Sequence, residues 1–159
     1  MPKTLLSPTQ QAARAENVIA SLLDRKLIVP KIFFEAAWPA RKSRVDVLAV
    51  DKSGAGDIHA VEVKVGGNDL ENAVAKIMEV PAHFRYVAVV SNRKLRIPES
   101  GLYAEDGMGR VGVIRVFESG DTLAAAVEIS PERFRLDPAV IRQIDRFTAT
   151  EHADIETRA

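Results

Sequence analysis

Two short apolar runs, rich in β-branched residues, stand close together near the middle of the chain: Arg44-Val45-Asp46-Val47-Leu48-Ala49-Val50 and Ile58-His59-Ala60-Val61-Glu62-Val63-Lys64-Val65. Each has the length and composition of a strand. Between them Asp51-Lys52-Ser53-Gly54-Ala55-Gly56-Asp57 is polar and glycine-containing, so the pair reads as a hairpin. Upstream, Ala12, Ala15, Val18, Ile19, Leu22 and Leu23 repeat at helical spacing. Ser7 suits the N-cap of that helix, Pro8 its first position, and Gln10 completes a capping-box pattern. A break is expected at Asp24-Arg25-Lys26, then an extended segment from Leu27 to Trp38, limited by Pro30 and Pro39.

After the hairpin, Gly66-Gly67-Asn68-Asp69 ends the strand and a second helix should start near Asn68. Its apolar face is Leu70, Ala73, Val74 and Ile77, and Pro81 closes it. Arg85-Tyr86-Val87-Ala88-Val89-Val90 is almost continuously apolar, as in a strand buried on both faces. Strand, helix and strand then form a right-handed βαβ crossover. Pro98 to Gly112 reads mostly as loop, with a short strand at Leu102-Tyr103-Ala104. Val113 to Phe117 and Thr122 to Glu128 read as two strands turned at Glu118-Ser119-Gly120-Asp121. Pro138 to Phe147 predicts a last helix through Val140, Ile141, Ile144 and Phe147, and residues 148–159 a polar, frayed tail.

The 159 residues suffice for one domain, taken as 1–147, with no clear room for a second. With 47% hydrophobic and 28% charged residues the composition is that of a soluble globular protein. No apolar run approaches the ~18 residues of a membrane span, and the N-terminus does not read as a signal peptide. The absence of cysteine excludes disulfides and thiolate metal sites and fits a cytoplasmic location. Formal net charge is zero, so binding to nucleic acid would need a local patch. Arg41-Lys42-Ser43-Arg44 and Arg93-Lys94-Leu95-Arg96 are the candidates for phosphate contact, against the alternative of solvated loop charge.

The hairpin carries the candidate chemistry. Glu62 and Lys64 are two residues apart and share a face. A loop centred on Gly54 sets Asp46 opposite Glu62. Like charges facing each other weaken a hairpin, and a divalent cation between them reverses that penalty. Glu16 borders the apolar stripe of the first helix beside Ile19 and Leu23, either turned toward this site or reaching out to solvent. Two other patterns are set aside. Gly107-Met108-Gly109-Arg110-Val111-Gly112 spells a dinucleotide fingerprint, but a strand pattern follows it where a helix is required. Histidines 59, 83 and 152 lack ligand spacing, and His59 points away from the Glu62 face.

A helix with Glu16, a strand with Asp46, a hairpin, Glu62-x-Lys64, a helix and a buried strand together resemble the PD-(D/E)XK phosphodiesterase superfamily, over about residues 8–91. Pro98-Glu99-Ser100-Gly101-Leu102-Tyr103 is similar to a segment of its MmcB-like bacterial DNA-repair branch. Val45 stands where many members carry proline, and Lys76 is open to the second-helix glutamine or lysine of several branches, though it is left out of the site assigned here. The resemblance implies an α/β fold with a restriction-endonuclease-like core. A mixed central sheet would be flanked by helices and extended by a C-terminal β-rich segment and helix. It also implies Mg²⁺- or Mn²⁺-dependent hydrolysis of DNA in repair, recombination or restriction, with Asp46 and Glu62 holding the metal through hard oxygen ligands. Lys64 would orient or deprotonate the nucleophile, and Glu16 would complete the shell. Nucleases that cut both strands often act as homodimers. The rival readings are a non-catalytic nucleic-acid-binding or regulatory module, whose acids Lys64 merely neutralises, and a structural subunit of a nuclease complex that docks through exposed Phe33, Phe34 and Trp38.

Overall fold

The hairpin forms in the register set by a loop centred on Gly54. In the computed structural model, which describes residues 8–28, 30–38, 44–51, 56–65, 70–92 and 109–143, β2 (Arg44–Asp51) pairs antiparallel with β3 (Ile58–Val65). The rungs are Val47 with Val61, Leu48 with Ala60, Ala49 with His59 and Val50 with Ile58. Before it lie helix α1 (Pro8–Lys26) and strand β1 (Pro30–Ala37), and β1 pairs antiparallel with β2. Helix α2 (Leu70–Met78) follows β3 and leads to β4 (Phe84–Val90), parallel to β3 as a crossover requires. β5 (Gly112–Ser119) adds parallel to β4, and β6 (Thr122–Ile129) closes the sheet antiparallel to β5. The fold is therefore α/β, with a mixed six-stranded sheet in the order β1-β2-β3-β4-β5-β6.

Each face of the sheet has its own core. Ala15, Ile19, Ala20 and Leu23 of α1 pack on Val47, Ala49, Val61, Tyr86, Ala88 and Ile114. Leu70, Ala73 and Ile77 of α2 pack on Leu48, Val50, Ile58, Ala60, Val87 and Val89. The period-2 alternation of β2, β3 and β4 explains this partition, because successive side chains point to opposite faces.

Two expectations are corrected. Helix α1 runs through Asp24-Arg25-Lys26, with Leu27 N still donating to Leu23 O at 2.8 Å. Arg25 and Lys26 suit the negative end of its dipole, so these charges finish the helix rather than break it. Phe33, Phe34 and Trp38 form no exposed surface: they are 3%, 9% and 1% accessible, and Trp38 Nε1 donates to Pro81 O at 2.8 Å. Of the two orientations open to Glu16 the inward one is found, at 2% exposure. At the C-terminal side residues 138–143 are helical, behind Asp137, whose Oδ1 accepts from Ala139 N at 2.8 Å. Ser7, Asn68, the strand expected at Leu102-Tyr103-Ala104, and the tail lie outside the described residues. No helix among the described residues is long and apolar enough to cross a membrane.

Candidate active site

Asp46 stands where the β2–β3 ladder stops. Asp51 N donates to Asp57 O at 2.9 Å, so alternate rungs from there carry the hydrogen bonds, and Val63 N–H is due to meet the carbonyl of Val45. It donates instead to Asp46 Oδ2, at 2.7 Å. The carboxylate takes the place of a backbone acceptor, and the last paired rung is Val47 with Val61.

The same position is irregular on the β1 side. Phe34 pairs with Val47 and Ala36 with Val45, which leaves Glu35 level with Asp46 and no residue inserted in either strand. Glu35 has φ 49°, a left-handed conformation rare for a non-glycine residue. Both strands change face at this rung. Phe33 and Ala36 of β1, and Val45 and Leu48 of β2, all pack in the α2 core, although each pair is three residues apart. This reversal re-aims the side chains at positions 35 and 46.

The carboxylates converge as a result. Oxygens of Glu16, Glu35 and Asp46 lie within 4.8 Å of one another. Glu16 arrives on the buried face of α1, next to Ala15 and one turn before Ala20. On the α2 side Asp46 shares a hydrogen bond with the Glu62 carboxyl. Asp46 is thus common to two acid groupings, one toward each helix. Burial pushes the Asp46 carboxyl above its ordinary value, against the Val63 N–H bond that lowers it. Burial and then the neighbouring Asp46 charge push Glu62 up to about 7, with Lys76 opposing. Both adjacent acids are therefore raised above their ordinary values, and Glu62 alone reaches about 7, the expected response of like charges drawn out of water.

Of the acids singled out in the sequence, Asp46 stands beside Glu16 in one grouping and beside Glu62 in the other. Lys64 is half-buried two residues beyond Glu62, on the same side by strand alternation. Lys76, in the last turn of α2, pairs with Glu62, with Nζ 3.5 Å from Oε1. Arg44 is exposed at the start of β2. Arg41, Lys42, Arg93 and Lys94 lie outside the described residues.

Sequence reasoning missed Glu35. Its one signal was being the single acid inside Ile32-Phe33-Phe34-Glu35-Ala36-Ala37, and strand alternation could not aim it because the backbone reverses there.

The set-aside patterns have structural explanations. Gly109 lies under Phe134, where a Cβ would stand 2.9 Å from the ring, and Gly112 opens β5 against Pro131. His59 faces the α1 core, stacked on Phe84 at 4.7 Å.

No protein-family model matches the chain, and no curated protein does. Among solved structures, the SPO1766 protein of unknown function from Silicibacter pomeroyi is similar, with a TM-score of 0.60 at 22% identity over 92% of this chain and 87% of that one. That likeness is one of fold.

Proposed function

We propose that this chain is a divalent-metal-dependent phosphodiesterase acting on DNA, with a restriction-endonuclease-like core. The observation that carries the reading is the placement of Asp46 in the opening between β2 and β3, hydrogen-bonded to Glu62 and grouped with Glu16 and Glu35. The carboxylates that meet are Glu16, Glu35 and Asp46, with Glu62 reached through Asp46. This all-oxygen set, which no histidine joins among the described residues, fits Mg²⁺ or Mn²⁺. Asp46 and Glu62 would hold the ion, with Glu16 beside them. When bound, such an ion lowers the pKa of a water and neutralises charge that builds on a phosphoryl group.

The residues of the chain do the rest. The Val63 N–H fixes the Asp46 carboxylate in orientation, as a fixed donor does for a ligand. Lys64 would orient the nucleophilic water and accept or hold its proton. Lys76 offsets the charge of Glu62 while the acids stand alone, and its 73% exposure leaves its Nζ free to turn toward a phosphate. Arg44, exposed two residues before Asp46, would meet the nucleic-acid backbone.

The test is a panel of labelled duplex, single-stranded and branched DNA, and RNA, with Mg²⁺ or Mn²⁺, run beside a melting series with the same ions. Cleavage of DNA and a metal-dependent rise in Tm, both lost in Glu62→Ala, are expected. No cleavage of any form and no shift at millimolar metal would overturn the proposal. A steeply salt-dependent binding without cleavage would favour a non-catalytic DNA-binding module.

A further inference from the structure

At the loop end of the β2–β3 hairpin, residues 130–137 run as a strap across the starts of β3 and β4. Arg133 Nη2 donates to Asp57 Oδ1 at 2.8 Å, and Phe134 N donates to His83 O at 2.7 Å. The Phe134 ring lies under the Arg85 guanidinium, 4.3 Å from it. Arg110 backs the strap, with its Nε donating to Ser130 O and its carbonyl accepting from Glu132 N, both at 3.0 Å.

His83 joins these pieces. It is 2% exposed. Its backbone N donates to Ile58 O at 2.9 Å, and its Nδ1 accepts from Ile58 N, also at 2.9 Å. The same Nδ1 lies 3.8 Å from the Asp57 oxygen that Arg133 holds.

We propose that His83 is an acid-sensitive latch that holds the strap 130–137 while neutral and releases it when protonated. An Nδ1 that accepts from Ile58 carries no proton, so the ring proton is on Nε2. Protonation turns Nδ1 into a donor facing the Ile58 N–H, and two donors cannot share that line. The nearest acceptor in reach is Asp57 Oδ1, already occupied by Arg133. An imidazolium there competes for the carboxylate and adds a third cation beside Arg133 and Arg85. Asp57 at the end of the hairpin loop favours the charged ring, whereas Arg133 on the strap, Arg85 on β4 and burial itself oppose it. Burial is the largest of these effects, so the ring stays neutral and the latch closed at neutral pH. The latch is independent of the phosphodiesterase reading, because it concerns the opposite end of the hairpin.

Amide hydrogen exchange on the full chain tests it, between about pH 7.5 and 5, with protection factors corrected for intrinsic rates. Protection of the Phe134 and Ile58 amides should fall on acidification, by roughly tenfold or more. The mid-sheet amides of Val87 and Val89 should keep theirs. His83→Asn retains an oxygen acceptor for Ile58 N–H without a titrating ring, and its Phe134 protection should stay constant. Arg133→Gln should lower Phe134 protection already at neutral pH, and NMR should show His83 titrating at a higher pH in that variant. The latch is refuted by unchanged Phe134 protection, or by a loss shared with Val87 and Val89. An unshifted His83 titration in Arg133→Gln refutes it equally, and this measurement stands even where His83→Asn does not fold.

Discussion

At the loop end of the hairpin, Asp57, His83, Arg85 and Arg133 each meet a partner of opposite charge or a backbone group: Arg133 on Asp57, His83 on Ile58 N, and Arg85 Nε on Val80 O at 2.8 Å. At the open end, Glu16, Glu35, Asp46 and Glu62 gather like charges, and Glu35 holds a left-handed backbone to do so. Both ends draw polar groups wholly or partly out of water, Glu35 excepted, which is exposed. The first satisfies them and so holds β3, β4 and the strap together. The second leaves a cost standing, in repulsion and backbone strain, that nothing in the fold of the sheet requires. Burial alone therefore does not mark a site. A buried group whose electrostatics are unfavourable until something binds does.

Asp46→Asn breaks the acid end most directly. It keeps an acceptor for Val63 N–H and removes a charge, so the fold should survive while cleavage falls by about a hundredfold or more. Cleavage equal to the parent would mean that Asp46 has no part in the chemistry.

Glu62 contributes a pH dependence of its own. Its folded value of about 7 lies above the unfolded 4.5. Stability from this group is therefore fully present below about pH 4.5 and lost as pH rises toward about 7, by up to roughly 3 kcal/mol. The buried His59, lowered to about 4, and His83, also lowered, act in the opposite direction. The loss is therefore read as the difference between parent and Glu62→Gln in denaturant melts across that window, and millimolar Mn²⁺ should restore the parent's stability. A parent-minus-variant difference that does not change with pH would place the acids in better-solvated surroundings than the geometry gives.

His83→Ala examines the satisfied end and should cost about 1–3 kcal/mol, because the buried Ile58 N–H loses its acceptor. The smallest effect is expected from Glu35→Gly, which relieves the left-handed residue and one like charge. Metal-free stability should rise by about 1 kcal/mol. A fall in Tm would show that Glu35 supports the β1–β2 pairing rather than burdening it.

Much of this was legible in the chain. The alternation of Val45 to Val50 and of Ile58 to Val65, with Gly54 centred between them, sufficed for the strands and their register. Phase-2 alternation also put Glu62 and Lys64 on one side and His59 on the other. What alternation could not show was the rung at Glu35 and Asp46, where both strands change face. A pattern argument carries the face forward from the preceding residues, so it fails wherever one φ turns positive. The exposure of Phe33, Phe34 and Trp38 was misjudged for a related reason. The reversal sends Ala36 and Trp38 into the same core as Phe33.

By itself the sequence determined the element order, the hairpin register and the presence of Asp46, Glu16 and Glu62 on three neighbouring elements, because periodicity and turn chemistry are local. Only the tertiary structure decided that Glu35 joins Glu16 and Asp46, that Lys76 pairs with Glu62, and that both acids of the hairpin are raised above their ordinary values, Glu62 to about 7. Those outcomes depend on distances between segments far apart in the chain and on exclusion of water, and neither is written in local spacing.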